Sequence, residues 1–293
     1  MNFLRGTGVA LITPFLENFE VDYDSLARLI EYQISGGIDY LVMLGTTGET
    51  PVLSDEERYK ILDFASQVNN RRLPLVAGFG GNDTAHLINA IKTYKLQDYE
   101  AILSVNPYYN KPTQDGLYRH YKTVAEHSPK PVILYNVPGR TGGNMAATTT
   151  LALAKDFKNI VAIKEASGSM SQCMDIIAHK PKDFIVISGD DNLTLPFMSI
   201  GMEGLISVIA NAYPTHTSAM VRAVLNSDHQ EAKRLHYQLY NMMQLIFEEG
   251  NPGGVKALMH QLGLCKNILR LPLAEVGYDL YQRIGLEAKQ LTT

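Results

Sequence analysis

Hydrophobic positions along the chain alternate between two periods. Short apolar, β-branched runs recur at 8–13, 40–44, 73–77, 101–105, 131–136, 160–164, 184–188 and 205–209, with the length and composition of buried strands. Between them the apolar residues return every three or four positions, as at Leu26, Leu29, Ile30 and Ile34, or Ile61, Leu62, Ala65 and Val68. That spacing turns one helical face toward a core. Strand starts roughly 20 to 35 residues apart, with a helix in each interval, require parallel strands joined by crossovers. Eight such units predict an α/β fold, a (β/α)8 TIM barrel, ahead of an open doubly wound sheet. Periodicity does not decide closure, so the open sheet stands as the alternative.

Helix punctuation agrees with this layout. Ser54-Asp55-Glu56-Glu57 reads as a capping box, a serine N-cap with glutamate three residues on. The preceding Gly45-Thr46-Thr47-Gly48-Glu49 is therefore a strand-to-helix loop, on the barrel face where active sites gather. After the eighth run the pattern becomes helical over 217–225, 231–247 and 252–262, with a last segment reaching Gln290. The expected organisation is a barrel over residues 1–224 that carries the active site, followed by a helical extension over 225–293.

Composition narrows the function classes. The 293 residues are 45% hydrophobic and 19% charged, with a net charge of -4 and no basic cluster, so no electrostatic footprint for nucleic acid or an anionic membrane is present. A small-molecule partner is the default expectation. No signal-peptide pattern opens the chain and no apolar run reaches membrane-spanning length, which makes a cytoplasmic location the expectation. Cys173 and Cys265 lack the spacing of a metal site or disulfide framework and read as buried, inert thiols.

Candidate chemistry begins at Lys164, which closes the run Ile160-Val161-Ala162-Ile163. A strand-end amine is a candidate Schiff-base nucleophile, but an ordinary lysine near pKa ~10.4 is less than about one part in a thousand neutral at pH 7. Burial at a barrel mouth disfavours the ammonium and frees the lone pair. The alternative is a solvated lysine with the adjacent Glu165 as an exposed charge partner. Other strand ends bring Thr46, Thr47, Tyr108, Tyr109 and Tyr135 toward the same mouth. Imine chemistry needs a proton shuttle, which a tyrosine phenol relayed by a threonine hydroxyl supplies; Tyr135 and Thr46 fit. Hydroxyls and backbone N–H groups of the Thr46-Thr47-Gly48 turn suit a carboxylate, and Arg140 suits a second one. Each has a plainer reading: packed tyrosines, a solvated arginine, a helix cap.

Other chemistry is disfavoured. Gly78-Phe79-Gly80-Gly81-Asn82-Asp83 places Asp83 where a dinucleotide fingerprint needs glycine. Asp190-Asp191 has no second ligand cluster, so no metal is expected. No phosphate-cradling loop follows strands seven or eight, so phosphorylated substrates are not expected.

Taken together, Gly45-Thr46-Thr47-Gly48-Glu49, Asn106-Pro107-Tyr108-Tyr109-Asn110-Lys111-Pro112, Tyr135-Asn136-Val137-Pro138-Gly139-Arg140-Thr141 and Ile163-Lys164-Glu165-Ala166 resemble the dihydrodipicolinate synthase family. That family belongs to the wider N-acetylneuraminate lyase superfamily of pyruvate aldolases, and the likeness runs the length of the chain. It implies a Schiff base between Lys164 and pyruvate, addition of the enamine to L-aspartate semialdehyde, and cyclisation to hydroxytetrahydrodipicolinate on the route to lysine. No metal or organic cofactor is implied. By the same resemblance Tyr135, Thr46 and Tyr109 form a proton relay, Tyr109 reaching across a dimer interface. Thr47 binds the pyruvate carboxylate, Arg140 the semialdehyde carboxylate, and Gly189 and Ile206 line the pyruvate pocket through backbone groups. A homotetramer built as a dimer of dimers is implied. The rival within the superfamily is a sialic-acid or keto-sugar-acid lyase; such lyases tend to carry Ser-Thr in the first loop and to lack the arginine, so Thr46-Thr47 and Arg140 favour the synthase.

Two departures from the family pattern stand out. Lysine-sensitive relatives carry an acidic residue four positions after the asparagine of the strand-three loop; counted from Asn82, that position is His86. Weak or absent lysine inhibition is the expectation. The second lies in Asn251-Pro252-Gly253-Gly254-Val255-Lys256, where relatives commonly carry proline near the second glycine. This run is expected to concern the helical extension rather than the chemistry.

Overall fold

The computed structural model describes residues 1–292; the end of the expected 225–293 extension, Thr293, lies outside the described residues. Eight parallel strands close in sequence order. They are β1 (Thr7–Ala10), β2 (Tyr40–Met43), β3 (Leu75–Gly78), β4 (Ala101–Val105), β5 (Val132–Asn136), β6 (Ile160–Glu165), β7 (Ile185–Ser188) and β8 (Gly204–Ser207). The barrel, not the open sheet, is the fold. Nearly every strand residue is buried on both faces, as a parallel sheet covered by helices requires.

The helices between strands are α1 (Tyr23–Ser35), α2 (Asp55–Asn69), α3 (Thr84–Thr93), α4 (Gln114–His127), α5 (Pro138–Thr141), α6 (Ala147–Asp156), α7 (Met170–His179) and α8 (Thr194–Ser199). After β8 come α9 (Pro214–Leu225), α10 (His229–Glu248), α11 (Gly253–Gln261) and α12 (Tyr278–Thr292). The capping box forms as its residues predict: the Ser54 hydroxyl accepts from Glu57 N at 3.2 Å, and the Glu57 carboxylate accepts from Ser54 N at 2.9 Å. In α10 the buried positions Ala232, Leu235, His236, Leu239, Met242, Met243 and Ile246 trace one helical face.

Several strand boundaries differ from the hydrophobic runs, because side chains take over backbone bonds. The first run reaches Thr13, yet β1 stops at Ala10. The next ladder donor, Ile12 N, gives its proton to Asn211 Oδ1 at 3.0 Å, and Thr13 Oγ1 donates to Gly48 O at 2.7 Å. The third run begins at Leu73, yet β3 begins at Leu75, since the Asn69 amide bonds both backbone groups of Leu73 and Pro74 has no N–H.

By density of internal contacts the chain forms two units. One comprises Met1–Arg5 and Pro74–Ile206, the other Gly6–Leu73 and Ser207 onward. No described helix is long and apolar enough to cross a membrane.

Candidate active site

Within the first unit, β5 and β6 set the central pair. Tyr135 and Lys164 are register partners across these strands, and the lysine Nζ lies 4.5 Å from the centroid of the Tyr135 ring. Alternation along β6 turns Lys164 and Glu165 to opposite faces of the strand. Both are buried, Lys164 at 4% exposure and Glu165 at 0%. Burial of the amine is what the nucleophile reading requires. It also corrects the alternative in which Glu165 is an exposed charge partner.

Glu165 instead ends a polar network of neutral donors. Its carboxylate accepts from Asn136 Nδ2 at 3.0 and 3.1 Å, from Ser167 N at 2.9 Å and from Gln172 Nε2 at 3.0 Å. Burial still pushes its pKa up, because hydrogen bonds offset only part of the lost hydration. Asn136 Oδ1 accepts from Asn106 Nδ2 at 2.9 Å and Met145 N at 3.0 Å. Asn136 is also the register partner of Glu165. The residues following Tyr135 and Lys164 therefore lock the two strand ends together from the outer face.

Gly189 follows β7 and packs against the lysine. A Cβ there would stand 2.6 Å from Ala166 Cβ and 3.0 Å from Lys164 Cε, so only glycine allows this approach. Its N–H is committed to Glu165 O at 2.8 Å, which leaves its carbonyl as the group a substrate could meet. Asp190, next in sequence, is pushed up to about 6 by burial, while the Lys164 charge opposes that rise. Ile206 is buried within β8. Arg140 lies on the short helix α5 that follows β5, and is exposed. Tyr109 is 87% exposed with φ at +71°, and its N–H reaches Thr141 O at 3.4 Å. The structure thus brings Lys164, Tyr135 and Gly189 together, with Arg140 on the helix after β5, and leaves the Tyr109 ring facing away from the protein's own core.

Thr46 and Thr47 belong to the second unit, in a 3-10 turn directly after β2. Thr47 is buried, and its Oγ1 accepts from Asn251 Nδ2 at 3.0 Å. Glu49, two residues on, is 1% exposed and occupies the left-handed region at φ +54°, a conformation that costs a residue with a Cβ roughly 1–2 kcal/mol. Its carboxylate forms an ion pair with fully buried Lys256 and accepts from Arg270 N at 3.1 Å. Lys256 also donates to Ile268 O at 2.8 Å and sits 4.2 Å from the Phe15 ring centroid. Burial lowers its pKa, and the Glu49 charge works against that. The Arg270 guanidinium also lies over the Phe15 ring, 4.6 Å from its centroid, and pairs with Glu57 at the start of α2.

The run 251–256 is therefore tied to Thr47 and Glu49, and does not concern the helical extension alone. Both motifs are legible in the sequence; their pairing across 207 residues is not. Among the described residues no cluster of three or more His, Cys, Asp or Glu could hold a metal ion. Both cysteines are buried, Cys173 pushed up to about 12 and Cys265 to about 11 by desolvation.

Comparison with known proteins adds a further observation. A sequence model of the dihydrodipicolinate synthetase family matches residues 3–291. The chain belongs to this family. It is 53% identical over 292 residues to the 4-hydroxy-tetrahydrodipicolinate synthase of Flavobacterium psychrophilum, covering 100% of both chains. It is 48% identical over 289 residues to the enzyme of that name from Parabacteroides distasonis, covering 99% of this chain and 97% of the other. Among solved structures, the dihydrodipicolinate synthase of Aquifex aeolicus superposes with a TM-score of 0.95 at 40% identity, over 98% of each chain. That of Thermotoga maritima gives 0.96 at 35% identity, over 99% of each.

Proposed function

We propose that the chain is a 4-hydroxy-tetrahydrodipicolinate synthase, condensing pyruvate with L-aspartate 4-semialdehyde through a Schiff base on Lys164. Full-length identity of 53% to an enzyme of that name supports this reading, and the carrying structural observation is the buried Lys164 amine against the Tyr135 ring.

The chemistry follows from the groups present. The Lys164 amine adds to the pyruvate C2 carbonyl with loss of a proton, and the carbinolamine loses water to give an iminium. Loss of a C3 proton gives the enamine, whose C3 attacks the semialdehyde carbonyl. The amino group of the second substrate then displaces lysine from C2 and closes the ring. Each step moves a proton, which a phenol at Tyr135, relayed by Thr46 and by Tyr109 of a second subunit, is suited to carry. Thr47 takes the pyruvate carboxylate, Arg140 that of the semialdehyde, and Gly189 and Ile206 shape the pyruvate pocket. Tyr109 supports an assembly: an aromatic ring held out in a left-handed backbone conformation suits contact with a partner. We assign a homotetramer made of two dimers, acting in the cytoplasm in lysine biosynthesis. We assign the barrel to residues 1–224 and the helical extension to the described residues from 225 onward.

Borohydride reduction in the presence of pyruvate, followed by peptide mass analysis, tests the reading. A pyruvate adduct on Lys164 is expected; its absence would rule out a Schiff-base enzyme. Condensation with aspartate semialdehyde, set against cleavage of sialic acid, distinguishes the synthase from the lyase.

A further inference from the structure

The loop after β2 is held at two points by the segment that leads into and begins α11. Asn251 Nδ2 donates to Thr47 Oγ1 at 3.0 Å, and five residues further along Lys256 pairs with Glu49. Asn251, Thr47, Glu49 and Lys256 are all buried. The direction of the first bond has a chemical consequence. A hydroxyl carries one proton and two lone pairs. When an amide N–H fills one lone pair, the hydroxyl proton points elsewhere, and Thr47 becomes a donor toward any acceptor that enters. The ion pair at Glu49 fixes the loop in its left-handed turn two residues away, so the hydroxyl stays where the amide reaches it.

We propose that Asn251 is a positioning residue for the first substrate: it polarises the Thr47 hydroxyl so that its proton is offered to the carboxylate of an α-keto acid. The inference rests on the assignment of Thr47 to the pyruvate carboxylate. It places a determinant of keto-acid recognition in the helical segment after the barrel strands, and Lys256–Glu49 is the clamp that keeps it in register. An aspartate at 251 keeps the shape and inverts the polarity, since a carboxylate draws the Thr47 proton to itself and adds a negative charge beside the incoming one.

Kinetics of Asn251→Asp, Asn251→Ala, Thr47→Val and the double variant Thr47→Val/Asn251→Ala test this, with active sites counted by borohydride trapping at saturating pyruvate. A hydrogen bond to a charged group is commonly worth a factor on the order of ten to a hundred in binding. Asn251→Asp is expected to raise the pyruvate KM by about that factor, and Asn251→Ala by less. The KM for the semialdehyde should stay within about twofold, because a residue acting through Thr47 touches only the first substrate. The double variant should be no worse than Thr47→Val, because without the hydroxyl the amide has nothing to polarise and its removal changes nothing further. A role confined to folding would instead lower the number of trappable sites and leave both KM values alone, which overturns the proposal. So would additive effects in the double variant, or a normal pyruvate KM in Asn251→Asp while Thr47→Val raises it. If Asn251→Asp does not fold, Asn251→Ala with its double variant gives the same decision. If Thr47→Val leaves the pyruvate KM unchanged, the Thr47 assignment falls first and takes the inference with it, whereas a missing adduct on Lys164 would strike the reaction itself.

Discussion

Lys164 and Tyr135 pair in register across β5 and β6, with the amine 4.5 Å from the centre of the phenol ring. The strand ends that present them are joined on the outer face by Glu165 and Asn136, one residue further along each strand. The proposed reactive groups and the polar network thus lie back to back on the same two strands.

Lys164→Ala is expected to abolish trapping of pyruvate, because no other group replaces the amine. Arg140→Ala should leave trapping intact and raise the semialdehyde KM, since Arg140 lies on α5 beyond the strand end and is assigned only to the second substrate. The magnitude expected for a lost charged hydrogen bond is roughly ten- to a hundredfold. Equal loss of trapping in both variants would show that the two roles are not divided in this way.

Tyr135→Phe keeps the ring that packs against Lys164 and removes the phenolic proton. If the phenol shuttles protons, kcat should fall by about two to four orders of magnitude, with the melting temperature close to that of the parent. An unchanged kcat would move the relay elsewhere.

Glu165→Gln should weaken the fold by about 1–3 kcal/mol, measured by urea unfolding, because its amide NH2 would face the donors of Asn136 and Gln172. Glu49→Gln or Lys256→Met should cost more, about 3–5 kcal/mol, since each leaves one buried charge without its partner. Removing both partners together should cost less than the sum of the two.

His120 supplies a pH signature. It is buried on α4 with Nδ1 2.8 Å from Thr84 Oγ1, and burial pushes it down from 6.5 to about 4. Between those values the unfolded chain binds a proton that the folded chain refuses, so stability rises with pH across that window and levels off above it. The full effect is about 3 kcal/mol. Unfolding followed at about pH 5 and about pH 7 should show the rise, and His120→Phe should flatten it.

Lysine should inhibit weakly or not at all. His86 stands exposed near the start of α3, where its backbone N–H bonds Asp83, and an imidazole does not replace a carboxylate as partner for an ammonium. Strong inhibition by millimolar lysine would contradict this.

What the sequence determined by itself was local and periodic. The eight apolar runs located every strand, because burial on both faces demands continuous apolar stretches, and the Ser54–Glu57 cap marked the start of α2 because its bonds span three residues. Strand-end position singled out Lys164, Tyr135, Thr46 and Thr47 as candidates, and the resemblance added the roles it implies for them. Tertiary structure decided what depends on pairing between distant segments. Barrel closure buried Glu165, which strand-end position alone left as an exposed charge: helices cover the outer face of β6, so its carboxylate had to find donors inside. The fold also carried Asn251 to Thr47 and Lys256 to Glu49 across about two hundred residues of chain. A buried hydroxyl or charge takes whichever partner packing delivers, and no period along a single chain records that choice.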